Sequence, residues 1–460
     1  MKQLAGQSVL VLGLGETGLS LARWLTAHGA QVCVADSRAA PPGIDILHRE
    51  MPQVDVYCGP FRDEALDGID RIAISPGVPL ADPFVQRAIA RGIPVEGDIE
   101  LLAQQLATND YRRNTKIIAI TGANGKTTVT SMVGAMCAAA GLDTQVAGNI
   151  SPAVLDALRA RTQQPQVWVL ELSSFQLETT ATLDADAAAV LNVTEDHLDR
   201  YAGMDGYAAA KARIFQGRGV QVLNRDDARS AAMKLAGRRQ FSFGLNPPPG
   251  ANDWGIIREG AHIWLMQGAR KIMRADELRV SGLHNVANAL AALALCRSLG
   301  LPLAPLLSAL RAFKGLPHRV ERVAEINGVT FYDDSKGTNV GATEAALKGL
   351  GKPAVIILGG DGKGQDFTPL RAAVAQYARA AVLVGRDALL IGQALAGCGK
   401  PLLHARDMDE AVALAAAQAQ RGDAVLLSPA CASFDMYRNY LHRAERFVAA
   451  VRKRQAGSPC

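Results

Sequence analysis

Short apolar runs alternate with longer amphipathic stretches along most of this chain. The run SVLVLGLG at 8–15 is followed by TGLSLARWLTAHG at 17–29 and by QVCVADS at 31–37. Apolar runs of this length are typical of buried parallel strands, whereas the longer stretch has the spacing of an amphipathic helix. The pattern therefore predicts a strand–helix–strand unit, and RIAISPGVP at 71–79 adds another strand and a turn.

Two further segments repeat this alternation. The second starts with KIIAITG at 116–122, predicts a helix from about Thr127 to Gly141, and contains the runs VWVLEL, AAAVLNVT and VQVLN. Its residues 239–280 are short runs cut by Gly and Pro, which predict a small antiparallel patch. The third segment follows Pro317 and contains AVIILGG, AAVLVG and AVLLSPA. The chain is thus expected to be an α/β protein of three domains.

Composition narrows the classes of function. The 460 residues are 49% apolar and 20% charged, with a formal net charge of +5. This is typical of a globular protein and lacks the strongly basic balance of a nucleic-acid-binding protein. Seven scattered cysteines without a CxxC pair favour neither a disulfide framework nor a zinc site, and they fit a reducing cytoplasm. We also expect no signal peptide and no membrane helix, because no apolar run reaches the ~18 residues that such a helix needs.

The stretch ITGANGKTTVT at 120–130 departs from the usual phosphate-binding pattern G-x-x-x-x-G-K-[ST], because isoleucine stands where the first glycine belongs. Gly122, Gly125, Lys126 and Thr127 still lie between a predicted strand and a predicted helix. The glycines let the backbone approach phosphate oxygens, the lysine can reach the outer phosphates, and the hydroxyl can ligate Mg²⁺. We interpret the stretch as a nucleotide-binding loop rather than an ordinary glycine turn.

Charged residues cluster in four other places. Glu171 ends the apolar run VWVLEL, where a carboxylate can face the loop and bind Mg²⁺. The other clusters are TEDHLDRY at 194–201, GLPHRVE at 315–321 and YDDSKGTN at 332–339. Taken singly, each could be a polar turn or a surface ion pair.

The turn GLGETG at 13–18 matches the dinucleotide-binding pattern G-x-G-x-x-G, and Asp36 stands where an acidic ribose partner belongs. Read alone, the turn predicts an NAD(P)-dependent oxidoreductase. Any nucleotide pyrophosphate, including that of UDP, can use the same helix N-terminus. An oxidoreductase would also leave the loop at 120–130 without a role.

Together these motifs resemble the Mur ligase family, in family order and over nearly the whole chain. The resemblance rests on GLGETG, SPGV, TGANGKTT, AGNIS, LELSSFQLE, NVTEDHLDRY, KARIF, SGLHNVAN, GLPHR, DDSKGTN, GGDGKG and SPACASFD. It implies an N-terminal Rossmann-like domain for a UDP-sugar at 1–109 and a central P-loop ATPase-like domain at 110–316. A C-terminal Rossmann-like domain at 317–460 would bind the amino acid and close over ATP. The polar stretch 108–115 would be a linker, and 315–317 a hinge.

The resemblance implies an ATP-dependent amide ligase of cytoplasmic peptidoglycan precursor synthesis. LELSSFQLE and SPACASFD point to the family members that add D-glutamate to UDP-N-acetylmuramoyl-L-alanine through an acyl phosphate. ATP and two Mg²⁺ ions would be needed, and a monomer is expected, with neither a nucleic-acid nor a membrane partner. A sister Mur ligase or a folylpolyglutamate-synthetase-like ligase acting on another amino acid is the alternative within the same chemistry. The sequence leaves the general base unassigned.

The resemblance also assigns site residues. The ATP site would comprise Gly122, Asn124, Gly125, Lys126, Thr127, Thr128, Asn285, Asn288, Arg319 and Asp334. The UDP-substrate site would comprise Glu16, Thr17, Asp36, Ser37, Arg38, Ser75, Gly77 and Asn149. The D-glutamate site would comprise Thr338, Lys363, Ser433 and Tyr440. The catalytic residues would be Lys126, Glu171, His197, Lys211 and Lys336, and the metal ligands would be Thr127, Glu171, His197 and Lys211 as a carbamate.

Three positions need comment. By its sequence alone Lys211, in KARIF, is expected on a helix surface, and only the resemblance makes it a carbamate. Tyr440 stands where a phenylalanine can occur in the family, and Gly337 where relatives can carry alanine. Cys431, in SPACAS, is interpreted as a small core or pocket residue rather than a nucleophile.

Overall fold

The first of three sheets is fully parallel and lies at the start of the chain. The computed structural model describes residues 4–107, 114–197 and 200–457. The first sheet has the strand order β3-β2-β1-β4-β5. Its strands are β1 Ser8–Leu12, β2 Gln31–Asp36, β3 Asp55–Cys58, β4 Arg71–Ile74 and β5 Val95–Glu96. Its helices are α1 Glu16–Ala27, α2 Ile44–Glu50, α3 Pro83–Ala90 and α4 Asp98–Leu106.

Because the strands are parallel, the turns after β1, β2 and β4 lie at one end of the sheet. The strand order reverses beside β1, which leaves a crevice at that end. Ligands of open α/β sheets bind at this kind of crevice. The turn GLGETG is tight because a Cβ atom on Gly18 would lie 1.8 Å from the carbonyl oxygen of Gly13. Gly13 itself has a φ of +86°, which favours glycine.

The second sheet has nine strands in the order β14-β13-β12-β11-β10-β9-β6-β8-β7. They are β6 Lys116–Thr121, β7 Thr144–Gly148, β8 Val167–Glu171, β9 Ala187–Val190, β10 Val220–Asn224, β11 Gln240–Phe243, β12 Trp254–Glu259, β13 His262–Gln267 and β14 Arg270–Arg274. The helices are α5 Lys126–Ala139, α6 Val154–Arg159, α7 Ser174–Glu178, α8 Met204–Ala212, α9 Ala228–Ala232, α10 Leu283–Ser298 and α11 Leu303–Ala312.

The predicted antiparallel patch is confirmed for β12, β13 and β14, which pair antiparallel. It is wrong for β11, which pairs parallel with both β10 and β12. The prediction failed there because a short run bounded by Gly and Pro does not reveal the direction of its neighbours.

The third sheet has the order β15-β16-β20-β17-β18-β19, with β15 antiparallel to β16 and the other pairs parallel. Its strands are β15 Glu321–Ile326, β16 Val329–Asp333, β17 Ala354–Leu358, β18 Ala378–Leu383, β19 Leu402–His404 and β20 Ala424–Leu427. The helices are α12 Val340–Gly349, α13 Leu370–Tyr377, α14 Ala388–Ala394, α15 Met408–Gln418 and α16 Tyr440–Gly457. The α/β fold class predicted from the sequence is confirmed.

One hydrophobic core joins the first two sheets. Ile99 and Leu101 of α4 belong to the same buried cluster as Leu170 of β8 and Leu177 of α7. The third sheet has two buried clusters of its own. The first two units therefore form one packed body. The predicted boundary between residues 109 and 110, and residues 108–113 of the predicted linker, lie outside the described residues.

Searched over the described residues, the helices are each too short or too polar to cross a membrane.

Candidate active site

The nucleotide-binding loop lies between the end of β6 and the start of α5. Gly125 has a φ of +83°, and a Cβ atom there would lie 2.6 Å from Oδ1 of Asn288. The loop is held by Asn192, whose Oδ1 accepts from the Asn124 N–H at 2.8 Å and whose Nδ2 donates to the Asn124 carbonyl at 3.0 Å. Lys126 folds back and donates to the carbonyl oxygens of Gly122 and Ala123. Burial lowers the pKa of Lys126.

Lys211 is buried, so the expectation of a surface lysine from its sequence alone is wrong. Its side chain is 1% exposed, and Nζ donates to the Gly122 carbonyl at 2.9 Å. Burial and the charge of Lys126 lower the pKa of Lys211 well below its usual range. The prediction failed because α8 is rich in alanine and carries no apolar stripe that marks its buried side.

Glu171 offers a carboxylate at the carboxyl end of β8, beside the nucleotide-binding loop. Its Oε1 accepts from Nδ2 of Asn149 at 2.8 Å. Its Oε2 is buried, and the described residues give it no hydrogen-bond partner. A buried carboxylate oxygen without a donor is costly unless a ligand or ion satisfies it. The donor set around Glu171 therefore fits Mg²⁺, which prefers oxygen ligands.

His197 lies near this carboxylate on a strained backbone with a φ of +57°. Its imidazole packs edge-on against the Phe175 ring at 4.7 Å between centroids. Burial lowers the pKa of His197, which keeps the imidazole neutral and able to ligate a metal. Asp196 beside it lies 3.9 Å from Nζ of Lys363 in the third unit.

The third unit reaches the loop directly. Nη2 of Arg319 donates to Oγ1 of Thr127 at 2.8 Å. Burial lowers the pKa of Arg319, and Asp334 partly offsets that effect. Nζ of Lys336 lies 3.9 Å from the ring centroid of Tyr440. Burial and the charge of Arg319 lower the pKa of Lys336 to about 8.

A cavity of about 850 Å³ lies between the central and third units. The predicted site residues that line it are Asn124, Gly125, Lys126, Thr127, Asn149, Glu171, His197, Arg319, Lys336, Thr338, Lys363 and Tyr440. Residues predicted for the ATP, UDP-substrate, metal and D-glutamate sites thus meet around one space. Local sequence patterns alone could not show this, because the strands that carry these residues belong to two different sheets.

A second cavity of about 290 Å³ adjoins it at Asn124, Gly125, Arg319 and Lys336. The other predicted ATP-site residues that line it are Thr128, Asn285, Asn288 and Asp334. Asp334 accepts from the Ser428 hydroxyl at 2.7 Å, and burial raises its pKa to about 7. His284, which the sequence reading missed, also lines this cavity, and burial lowers its pKa to about 4.

The predicted UDP-substrate residues other than Asn149 lie at the carboxyl ends of the strands of the first sheet. Ser75 is buried after β4, and its hydroxyl donates to the Gly13 carbonyl at 3.0 Å. Glu16, at the start of α1, accepts from the Ser151 hydroxyl of the central unit at 2.9 Å. Thr17 follows Glu16 in α1, Ser37 follows β2, and Gly77 lies in the turn after β4.

Asp36 is occupied by its own chain. Its carboxylate accepts from the Leu14 N–H at 2.6 Å and from the Arg38 guanidinium at 2.6 Å and 2.8 Å. These bonds outweigh the effect of burial and hold the pKa of Asp36 at about 2. A ribose hydroxyl would have to compete with Arg38 for this carboxylate, which weakens the dinucleotide interpretation of GLGETG.

Some predicted site residues do not line either of these two cavities, among them Gly122, Lys211 and Ser433. Ser433 is buried, and its carbonyl accepts from the amides of Met436 and Tyr437, but in the described part of the chain it lines neither cavity. Cys431 is fully buried, and burial raises the pKa of its thiol, as suits a core residue rather than a nucleophile.

Sequence reasoning missed Asn339, which connects the units. Its Nδ2 donates to Oδ1 of Asn124 at 3.0 Å and to Oδ2 of Asp196 at 3.3 Å. Its Oδ1 accepts from the Ala342 N–H and so caps α12. An asparagine before a helix is a recognisable cap, but its contacts with another unit have no signal in the sequence.

Family models match the three units. The description "Mur ligase MurD-like, N-terminal domain" matches residues 7–97. "Mur ligase middle domain" matches 120–296, and "Mur ligase, glutamate ligase domain" matches 318–431.

Known proteins match over nearly the whole chain. The UDP-N-acetylmuramoylalanine–D-glutamate ligase of Nitrosospira multiformis is 60% identical over 458 residues, which is 98% of this chain and 97% of the relative. That of Thiobacillus denitrificans is 58% identical over 464 residues, with 98% and 97% covered.

Two solved structures share the fold. The UDP-N-acetylmuramate-alanine ligase MurC of Thermotoga maritima has a TM-score of 0.61 at 20% identity, covering 98% of this chain and 100% of the other. A pseudomurein peptide ligase type C of Methanothermus fervidus has a TM-score of 0.62 at 18% identity, covering 97% and 100%. The resemblance seen in the motifs is confirmed, and the chain belongs to the Mur ligase family.

Proposed function

We propose that this protein is an ATP-dependent ligase that joins D-glutamate to UDP-N-acetylmuramoyl-L-alanine in peptidoglycan precursor synthesis, with ADP and phosphate as the other products. One observation carries the proposal: cationic, carboxylate and amide side chains from two units converge on the cavity of about 850 Å³. The names of relatives at 58–60% identity support the choice of D-glutamate. We further propose a cytoplasmic monomer.

The cavity supplies what the first chemical step needs. In that step a carboxylate oxygen of the L-alanyl group attacks the γ-phosphorus of ATP, ADP leaves, and an acyl phosphate forms. Two anions must approach each other, and Lys126 and Lys336 bring positive charge to the same cavity. Fixed cations in a site of low dielectric stabilise such developing charge.

In the second step the amine nitrogen of D-glutamate attacks the acyl carbon, a tetrahedral intermediate forms, phosphate leaves and the nitrogen loses a proton. Thr338, Lys363 and Tyr440 line the third unit's side of the cavity and are proposed to hold D-glutamate. Ser433 is proposed to belong to the same pocket, because it follows Ala432, which pairs with Asp361 two residues before Lys363.

Two Mg²⁺ ions are proposed to be held by Thr127, Glu171, His197 and Lys211, with Lys211 present as a carbamate. The unpartnered Oε2 of Glu171 is the observation that fits such an ion. When bound, Mg²⁺ would supply positive charge that offsets the negative charge of the phosphate and carboxylate oxygens. Asn149, which follows the neighbouring parallel strand β7, holds Glu171 in place through its hydrogen bond to Oε1.

Arg319, Asp334, Asn285 and Asn288 are proposed to bind the nucleotide in the smaller cavity, which is open to the phosphate loop at Gly125. The UDP end of the substrate is proposed to lie along the chain segments that carry Glu16, Thr17, Ser37, Ser75 and Gly77. The bond between Asp36 and Arg38 is proposed to fix the shape of the turn after β2.

Phosphate release tests the proposal. The protein is incubated with ATP, Mg²⁺ and UDP-N-acetylmuramoyl-L-alanine, with D-glutamate, L-glutamate, L-alanine or a diamino acid. We expect release that depends on D-glutamate. Release with another amino acid would indicate a sister ligase, and tight NAD(P) binding without release in any mixture would favour the oxidoreductase alternative.

Turnover is also proposed to need movement of the third unit about 315–317, where Gly315 has a φ of +91°. A crosslink that holds the central and third units apart should abolish phosphate release. Full activity of the crosslinked protein would contradict the hinge.

A further inference from the structure

Arg200 connects the segment that carries His197 to a turn of the first unit. Its Nη1 donates to the carbonyl oxygen of Pro76 at 2.8 Å, and its Nη2 donates to that of Val78 at 3.3 Å. Both carbonyls belong to the turn SPGV, which follows β4 and carries Ser75 and Gly77. A planar guanidinium presents several N–H groups in a fixed fork, so one side chain can bind two carbonyls at once.

The other sides of this guanidinium are also engaged. Its Cζ lies 3.9 Å from the centroid of the Phe175 ring, and Nη2 lies 3.3 Å from Oε2 of Glu178. The Arg200 side chain is only 12% exposed. A guanidinium held by an aromatic face, a carboxylate and two carbonyls has one favoured position.

The same residue contacts the His197 segment in two ways. The backbone N–H of Arg200 donates to the His197 carbonyl at 3.0 Å. The Phe175 ring that lies under the guanidinium also packs edge-on against the His197 imidazole. Arg200 therefore lies between the turn proposed for the UDP-substrate and a proposed metal ligand.

We propose that Arg200 is a positioning residue that fixes the distance between the SPGV turn and His197. The inference rests on the proposed function, because it assigns the first unit to the UDP-substrate and the His197 segment to the reacting end. The UDP-substrate is long, and its two ends are held by different units. Arg200 sets the separation of those two anchoring points, so that the L-alanyl carboxylate arrives at the metal side of the cavity.

Arg200→Lys tests this role, because lysine keeps the charge but loses the fork. We expect KM for UDP-N-acetylmuramoyl-L-alanine to rise about tenfold or more, as loss of one hydrogen bond from a charged group can produce. KM for ATP should change less than about twofold, since Arg200 makes no contact with the nucleotide-binding loop among the described residues. A merely structural role would move both constants and kcat together.

Arg238→Lys is the matched control. Arg238 also donates to backbone carbonyls, those of Phe215, Gly217 and Gly219, but all of these lie in the central unit. The Arg238→Lys variant should lose about as much stability as Arg200→Lys, but its KM for the UDP-substrate should stay unchanged. Equal effects of the two substitutions would overturn the inference.

Hydrogen exchange gives a readout that needs no activity. The Val78 amide donates to the Ser75 carbonyl at 3.0 Å within the SPGV turn. In the substrate-free protein, Arg200→Lys should make peptides covering 75–80 exchange at least about fivefold faster, while Arg238→Lys should not. If Arg200→Lys does not fold, Phe175→Leu, which removes the ring under the guanidinium, should change the same peptide and the same KM in the same direction.

The outcomes separate the two proposals. Wild-type protein without D-glutamate-dependent phosphate release would overturn the proposed function, whatever the exchange data show. Active wild-type protein with unchanged KM and unchanged exchange in Arg200→Lys would overturn the inference alone. Faster exchange together with the selective rise in KM for the UDP-substrate would support it.

Discussion

Lys211 donates a hydrogen bond from its amino group to the carbonyl oxygen of Gly122, at 2.9 Å, inside the nucleotide-binding loop. The amino group also lies 4.4 Å from the centroid of the Tyr207 ring. Burial lowers the pKa of this lysine, so a larger fraction of it is neutral than of a surface lysine. A neutral amine is the form that reacts with carbon dioxide, so the environment of Lys211 favours the carbamate implied by the family resemblance.

Replacing Lys211 tests the carbamate. Lys211→Met keeps an unbranched side chain without charge, so the protein should stay folded, since a buried amine is replaced by an apolar group of similar length. Phosphate release should fall about 10- to 100-fold or more, because a metal-supporting carboxylate can no longer form. Wild-type protein in carbon-13-labelled bicarbonate should show a carbamate signal in NMR spectra. Full activity of Lys211→Met, or the same signal in that variant, would contradict the assignment.

The strands and the phosphate loop could be predicted from the sequence because both depend on local patterns. The apolar run of β8 ends at Glu171, and Gly125 precedes Lys126 in a recognisable order. The burial of Lys211 and the bond between Arg319 and Thr127 could not be predicted. Both arise from how separate elements pack, and residues 192 positions apart leave no periodic trace in the chain.

The shared core of the first two units is another feature that could not be predicted from the sequence. The motifs divide the chain into three, but α4 is buried against the central unit. Glu100 of α4 accepts from the amides of Ala181 and Thr182 at 2.7 Å and 2.9 Å. From the sequence, Glu100 would be expected as a charge on the surface of a helix. Its partners are remote in the chain, so only the tertiary structure reveals them.

The same interface makes stability depend on pH through Asp98. This carboxyl group is 1% exposed and accepts from Nε2 of Gln176, and burial raises its pKa to about 6. Between about pH 4 and pH 6 the folded protein therefore holds a proton that the unfolded chain has lost. The free energy of unfolding should fall as the pH rises through this window, by about 3 kcal/mol from this group.

Asp98→Asn isolates this contribution, because asparagine does not titrate. Urea unfolding at several pH values should show a stability difference between wild type and variant that shifts in favour of the variant as the pH rises from about 4 to 6. Asp366→Asn is the matched control, since Asp366 is an exposed acid whose pKa is lowered by Thr368. A difference between wild type and Asp98→Asn that does not change with pH would contradict the shift at Asp98.

Gly337 has little room for a side chain. A Cβ atom would lie 2.6 Å from Oδ2 of Asp334 and 2.8 Å from Oγ of Ser428. Gly337→Ala should therefore displace the Asp334 carboxylate, lower the free energy of unfolding by about 1–3 kcal/mol, and raise KM for ATP. Urea unfolding and nucleotide titration measure these effects.

Gly206→Ala is the control for Gly337→Ala. Gly206 lies in α8, and the nearest atom to its added Cβ would be Cβ of Tyr201 at 4.0 Å. Alanine there should be neutral or should stabilise the helix by about 0.5–1 kcal/mol. Unchanged stability and ATP affinity in Gly337→Ala would contradict the prediction, because the Asp334 side chain would then move aside without a measurable cost.

Asn339 allows the contact between the central and third units to be tested with one atom changed. Its amide nitrogen donates to Asn124 and Asp196, while its amide oxygen caps α12. Asn339→Asp keeps the cap, because Asp and Asn are equivalent there, but it places a carboxylate against the Asp196 carboxylate in a buried position. We expect the third unit to spend less time against the central unit. Then kcat/KM for phosphate release should fall about tenfold or more, with KM raised for both ATP and D-glutamate.

Asn339→Ser is the control, because serine also caps the helix but adds no charge. Its kcat/KM should fall less than that of Asn339→Asp. Helix content from circular dichroism should match wild type in both variants. If Asn339→Asp turned over as fast as wild type, contact through this residue would not limit the assembly of the site.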